Sequence, residues 1–154
     1  MEEIRDFYEA FLKALVAHQV EHMIFGGFAV NMYGFTRVTE DLDVWINPET
    51  GNLNRFKEAT LSLGFEEAPQ LNDFISGESI MLRLTEEGFR VDLLTKLNIR
   101  KSFSDAFEKA VHVMMPYGKI FFIGYNDLID EKIRAKRPKD LLDVQQLRIL
   151  RGEE

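Results

Sequence analysis

The chain contains no cysteine. Disulfides, thiolate metal sites and cysteine nucleophiles are therefore excluded, and a reducing compartment is compatible with the absence. No apolar run approaches the length of a bilayer span. Residues 1–6 are acidic on balance and lack the basic-then-apolar order of a signal peptide. These absences predict a cytoplasmic protein with no membrane partner. Basic charge is also short, with a formal net charge of −7. That weighs against a passive nucleic-acid binder, which needs a basic surface. A nucleotide substrate stays open, because magnesium can neutralise phosphates locally. Internal repeats, low-complexity tracts and long linkers are missing as well.

What is present suits one folded domain over residues 1–154. Apolar residues make up 45% and charged residues 29%, a globular balance long enough for a core without staples. The informative stretch is residues 23–46, which reads as strand, glycine pair, short helix, loop and strand. Asp41 and Asp43 stand at i and i+2 of the second strand, so both project from one face while Leu42 and Val44 point to a core. Paired carboxylates repel unless a cation sits between them. A hard divalent ion such as magnesium takes such ligands and completes its shell with substrate phosphates. Gly26-Gly27, after the apolar run Met23-Ile24-Phe25, allows close backbone approach to a ligand at the start of a helix.

Phe25-Gly26-Gly27 followed by Asp41-Leu42-Asp43-Val44 resembles the nucleotidyltransferase superfamily, the DNA polymerase β-like fold. The likeness is to small bacterial members: minimal nucleotidyltransferases, drug-modifying adenylyltransferases and toxin-like relatives. It implies an α+β fold, a mixed β-sheet flanked by helices, with C-terminal helices. It implies a third carboxylate on a later strand, and Asp92 in Phe89-Arg90-Val91-Asp92-Leu93-Leu94 fits. The expected chemistry is metal-dependent transfer of a nucleoside monophosphate from a nucleoside triphosphate to a hydroxyl acceptor. That acceptor is left open between a small molecule, a tRNA end and a protein, as is assembly with itself or a protein partner. Asp41, Asp43 and Asp92 would hold two magnesium or manganese ions roughly 4 Å apart, with Asp92 as general base. Gly26 and Gly27 would hold the triphosphate, Arg37 would clamp it, and Thr39 would either support Asp41 by a hydrogen bond or only satisfy loop backbone. Lys139 and Asp140, in a segment similar to the closing helices of toxin-like members, are candidate nucleotide or acceptor contacts. The alternative is a non-catalytic nucleotide-binding regulator or toxin–antitoxin component of the same fold.

Several of these residues have ordinary readings. Arg37 could pair with Glu40 or another acid, Asp92 with Arg83 or Arg90, and the cations at 132–139 could form a solvated face. His18, His22 and His112 read as surface or structural residues, not a metal site. Trp45 could stack on a base or continue a packed strand face.

The remaining chain gives a coarse element map. A helix over residues 3–17 presents Ile4, Phe7, Tyr8, Phe11, Leu12 and Leu15. A short helix follows the glycines and ends near Gly34. Another spans residues 51–63, and residues 66–72 read as a loop. Strands at 79–84 and 89–94 form a hairpin. Ser102 caps a helix over 102–110, and strands follow at 111–115 and 119–123. Asn126 or Asp127 caps a helix running to residue 137. Pro138 opens the last helix, with Leu141, Val144 and Leu147 inward.

Overall fold

The computed structural model describes residues 2–39, 41–65 and 69–153, with backbone only for residues 2–5 and 69. The helix α1 (Glu2–Ala17) buries Tyr8, Phe11, Leu12 and Leu15, the predicted stripe. Ile4 lies outside the described side chains. Phe7, half-buried, stacks on Phe89 with ring centroids 4.8 Å apart.

Six strands form one mixed sheet: β1 (His22–Phe25), β2 (Asp41–Ile46), β3 (Met81–Glu86), β4 (Phe89–Leu94), β5 (Val111–Met115) and β6 (Gly118–Phe122), in the order β3-β4-β2-β1-β6-β5. The antiparallel pairs are β1–β2, β3–β4 and β5–β6, and the seams β2–β4 and β1–β6 are parallel. Glu87-Gly88 makes the predicted β3–β4 hairpin with a two-residue turn, Gly88 taking φ +78.

Helices pack around this sheet. The helix α2 (Gly26–Met32) begins at the glycines, two residues before the predicted start, and ends at Tyr33 beside Gly34. α3 (Thr50–Ser62) is followed by α4 (Pro69–Ser76). The expected loop at 66–72 is therefore corrected: residues 69–72 are helical, while 66–68 lie outside the described residues. Leu71 and Phe74 form a buried i, i+3 stripe, and Phe74 packs on Phe56 at 5.6 Å. Pro69 is tolerated because it falls in the first turn. α5 (Phe103–Phe107) is shorter than expected, but Ser102 caps it, its hydroxyl accepting from the Asp105 amide at 3.1 Å.

The last two helices depart further from the sequence reading. α6 (Tyr125–Ala135) has Gly124 at its N-cap, not Asn126 or Asp127, and stops at Lys136, which is left-handed at φ 60. α7 (Pro138–Leu150) carries Pro138 in its first turn as expected. Its inward face is Asp140, Asp143, Val144 and Leu147, whereas Leu141 and Leu142 are 50% and 48% exposed. The predicted inward Leu141 is one residue, or about 100°, out of phase.

His22 is also corrected, from the surface to the core. Its Nδ1 donates to the Val20 carbonyl at 2.9 Å, and its Nε2 accepts from the Phe121 amide at 3.3 Å. Burial lowers its pKa and keeps the ring neutral. Among the described residues, no helix is long and apolar enough to cross a membrane.

Candidate functional site

Register brings the three candidate carboxylates together. β2 and β4 run parallel with Asp43 opposite Asp92 and Asp41 opposite Arg90. The strand alternation then puts Asp41, Asp43 and Asp92 on one face, while Leu42, Val44, Val91 and Leu93 are fully buried on the other. Phe25, the last residue of β1, pairs with Asp43, so the chain leaves the sheet beside that carboxylate.

The glycine pair is required at this exit. Gly26 has φ +67, and a Cβ there would lie 2.1 Å from Asp43 Oδ2. A Cβ on Gly27 would lie 2.3 Å from Thr39 Oγ1. Both positions therefore exclude a side chain, one for Asp43 and one for the 35–39 loop. Thr39 lies over Gly27, and among the described residues no hydrogen bond joins it to Asp41.

These residues line a cleft of about 490 Å³. Asp41, Asp43 and Asp92, with Arg90, line it from the sheet, and Arg37, Glu131, Lys132, Arg137 and Lys139 line it from the 35–39 loop, α6 and the start of α7. Burial raises the Asp43 pKa to about 7, and the charges of Asp92, Asp41 and Glu131 push it the same way. Glu131 is raised mainly by burial, and its Oε2 has no hydrogen-bond partner.

Arg37, Lys132 and Arg137 join an ion-pair lattice built by α6 and α7. Arg37 forks onto Asp143, Nε to Oδ1 at 2.7 Å and Nη2 to Oδ2 at 2.8 Å. Lys132 Nζ lies 3.1 Å from both Asp140 and Asp143. Arg137 forks onto Asp140, with Nε at 2.6 Å from Oδ2. Asp140, Asp143 and Lys132 are 0%, 1% and 3% exposed, so this is a buried network whose partners satisfy one another.

The sequence-predicted residues divide accordingly. Asp41, Asp43, Asp92, Gly26, Gly27, Arg37, Thr39 and Lys139 all line the cleft. Asp140 does not: it lies behind that lining, with its carboxylate taken by Lys132 and Arg137, which corrects its reading as a direct ligand contact. Arg37 reaches the cleft, but its fork is committed to Asp143 and its Nη1 donates to the Val38 carbonyl at 3.1 Å. The pairing with Glu40 falls on a residue outside those described. Lys132 belongs to the core and not to a solvated face. Trp45 is sealed beneath Phe103, ring centroids 5.5 Å apart, with its Nε1 donating to the Thr95 carbonyl, so no base can stack on it.

The sequence reading gave no site role to Glu131, Lys132, Arg137 or Asp143. The signal for Asp143 was the i, i+3, i+4, i+7 spacing of Asp140, Asp143, Val144 and Leu147, visible only if acids are allowed on an inward face.

Arginines also reach the carboxylates. Arg90 bonds Asp41, and Arg83 Nε lies 2.7 Å from Asp92. Among the described residues, no group of three acids or histidines converges as a metal-ligand cluster. The donor chemistry nevertheless fits a hard divalent ion: three carboxylates on adjoining register positions, with Asp43 destabilised as an anion by its neighbours. Arg83 and Arg90 supply the counter-charge and would have to release Asp92 and Asp41 to such an ion.

No family model matches the chain, and no curated protein matches it. Solved structures do. A candidate nucleotidyltransferase from Thermotoga maritima is 13% identical, with 94% of this chain and 91% of that one covered and a TM-score of 0.60. An antigenic nucleotidyltransferase-like protein from Paracoccidioides brasiliensis is 13% identical over 97% of this chain and 77% of that one, with a TM-score of 0.56. ANT(2″)-Ia in complex with adenylyl-2″-tobramycin is 13% identical over 97% and 89%, with a TM-score of 0.61. Identity at this level carries the fold alone. The chain shares the fold of these three solved structures.

Proposed function

We propose that the protein transfers a nucleoside monophosphate from a nucleoside triphosphate to a hydroxyl acceptor. The observation that carries the reading is the mixed-charge cleft: three carboxylates on one face of β2 and β4, sharing its lining with Arg137 and Lys139. The carboxylates suit a divalent ion, and the cations suit the phosphates that ion would accompany.

Magnesium or manganese would be held by Asp41, Asp43 and Asp92 and would supply Lewis-acid charge neutralisation at the phosphates. The rest of the chemistry belongs to the chain. The acceptor oxygen attacks the α-phosphorus and forms a new P–O bond. The bond from the α-phosphorus to the bridging oxygen breaks, and pyrophosphate leaves. Asp92 takes the hydroxyl proton and passes it to solvent. Arg137 and Lys139 offset charge on the departing pyrophosphate. Gly26 and Gly27 let the triphosphate approach the backbone beside Asp43. Arg37 acts as a positioning residue, pinning the 35–39 loop to α7 through Asp143.

Melting curves with manganese or magnesium and each ribonucleoside triphosphate test this. A metal-dependent rise in midpoint for one triphosphate is expected, because ligand binds only the native state. The rise should vanish in Asp43→Asn. An equal rise in that variant would refute the site. A second reading, nucleotide binding without transfer, draws on the arginines: if Arg83 and Arg90 stay on Asp92 and Asp41, nucleotide raises the midpoint without metal and no pyrophosphate is released.

A further inference from the structure

We propose that the chain carries a second ligand site, at the start of α6, for a small phosphate monoester that bears a hydroxyl group. The site is a hollow of about 360 Å³ that shares no lining residue with the carboxylate cleft. It binds its ligand; no bond is made or broken in it.

Backbone supplies the first part of the phosphate subsite. The four residues that open α6, Gly124 to Asp127, all line the hollow. The Leu128 amide makes the first backbone bond of that helix, to the Gly124 carbonyl at 2.9 Å. The amides of residues 125–127 precede that bond and need acceptors from elsewhere. A side-chain cap cannot provide one. A Cβ on Gly124 would lie 2.6 Å from the Lys109 carbonyl oxygen, so the cap is glycine and offers no side-chain hydrogen bond. An anion at this end also meets the positive end of the helix dipole.

Cations supply the second part. Lys109 and Arg151 line the hollow and are exposed. Among the described residues, neither enters a salt bridge. Arg151 lays its guanidinium over the Tyr125 ring, 3.6 Å from the centroid. That contact uses the face of the guanidinium and leaves its N–H edge for an oxyanion.

Asp127 is the reason that a bare anion is not enough. It is 5% exposed and lines the hollow. Its Oδ1 lies 3.0 Å from Lys101 Nζ, and its Oδ2 has no hydrogen-bond partner among the described residues. Lys101 already balances the charge, so Asp127 calls for a neutral O–H donor and not for a second cation. Two unpaired cations and an open helix start call for a dianion. A phosphate monoester carries close to two charges at neutral pH, whereas a carboxylate carries one. A phosphate with a hydroxyl a few bonds away satisfies both ends of the hollow.

Glycerol 3-phosphate and n-propyl phosphate test this on the full chain, because they share the phosphate and the three-carbon frame and differ only in hydroxyls. Calorimetric titration should show wild type binding glycerol 3-phosphate about ten-fold more tightly than n-propyl phosphate, roughly the worth of one hydrogen bond. The melting midpoint should rise with glycerol 3-phosphate. Lys109→Ala with Arg151→Ala should weaken both ligands about ten-fold or more. Asp127→Ala should bind the two ligands alike. Asp43→Asn should bind glycerol 3-phosphate as wild type does, since no cleft residue lines the hollow.

No binding of either ligand by wild type, or binding unchanged in the double variant, overturns the proposal. Equal affinity of wild type for the two ligands reduces the hollow to a general anion site and overturns the ligand class. If Asp127→Ala fails to fold, the wild-type comparison and the surface double variant still decide. The transfer reading stands or falls separately, on the triphosphate shift and its loss in Asp43→Asn.

Discussion

Asp43 is the residue with the most to lose from its own charge. Its pKa stands at about 7, against an ordinary 3.8, because it is buried and faces Asp92 and Asp41. A carboxyl raised in this way contributes stability that is whole below its unfolded value and is lost as pH rises through about 7. Asp43→Asn removes the ionisation, so the variant should be more stable than wild type above pH 8. The ceiling is about 4 kcal/mol, from about 1.4 kcal/mol per pKa unit. The gap should narrow steadily towards pH 5. Denaturant melts of both proteins across that range measure it, and a gap independent of pH would refute the assignment. Saturating manganese should raise the wild-type midpoint at pH 8 and leave Asp43→Asn unmoved.

At the scale of the element, α7 reverses the usual placement of residue types. Its acids point inward and three of its four leucines outward. Asp143→Ala would strand Arg37 and Lys132 beside an empty position. Breaking a buried pair from one side costs about 3–5 kcal/mol, and that loss is expected in a urea melt. Leu141→Gln, two residues away on the outer face, should change stability by no more than about 0.5 kcal/mol. The same contrast explains what the sequence could tell. Asp41 and Asp43 could be placed on one face because strand alternation is an unambiguous period of two; Asp92 stood out through the family resemblance, and its register opposite Asp43 was not legible. Gly26 and Gly27 were legible as a turn, but their contacts with Asp43 and Thr39 were not, since those depend on where a loop fifteen residues away returns. The lattice of Arg37, Lys132, Asp140 and Asp143 was hidden for a different reason. Hydrophobic periodicity assigns the inward face to leucines, and here paired charges fill it.

For the whole molecule, the sheet order predicts a gradient of protection. β2, β1 and β4 have neighbours on both sides, and β3 and β5 are edges. Hydrogen exchange of the native protein should be slowest in residues 41–46 and 89–94 and much faster in 111–115. Faster exchange in 41–46 than in 111–115 would contradict this topology. The fold class was legible through the family resemblance, and the hairpin of β3 with β4 and the α1 stripe because each rests on local pattern. The parallel seams were not, since nothing local specifies which distant strand completes a sheet.

Those seams bear on how the chain assembles. Each antiparallel pair, β1–β2, β3–β4 and β5–β6, joins strands consecutive in sequence, whereas His22 meets Phe121 across 99 residues. Loop-closure entropy favours the near pairs first. The cleft residues Lys132, Arg137 and Lys139, which follow β6, and the carboxylates of β2 and β4 are thus brought together in the slow steps of folding. A permuted chain that opens between β4 and β5 and links the old termini would shorten the route from β6 to β1, and it should fold faster while keeping the same cleft.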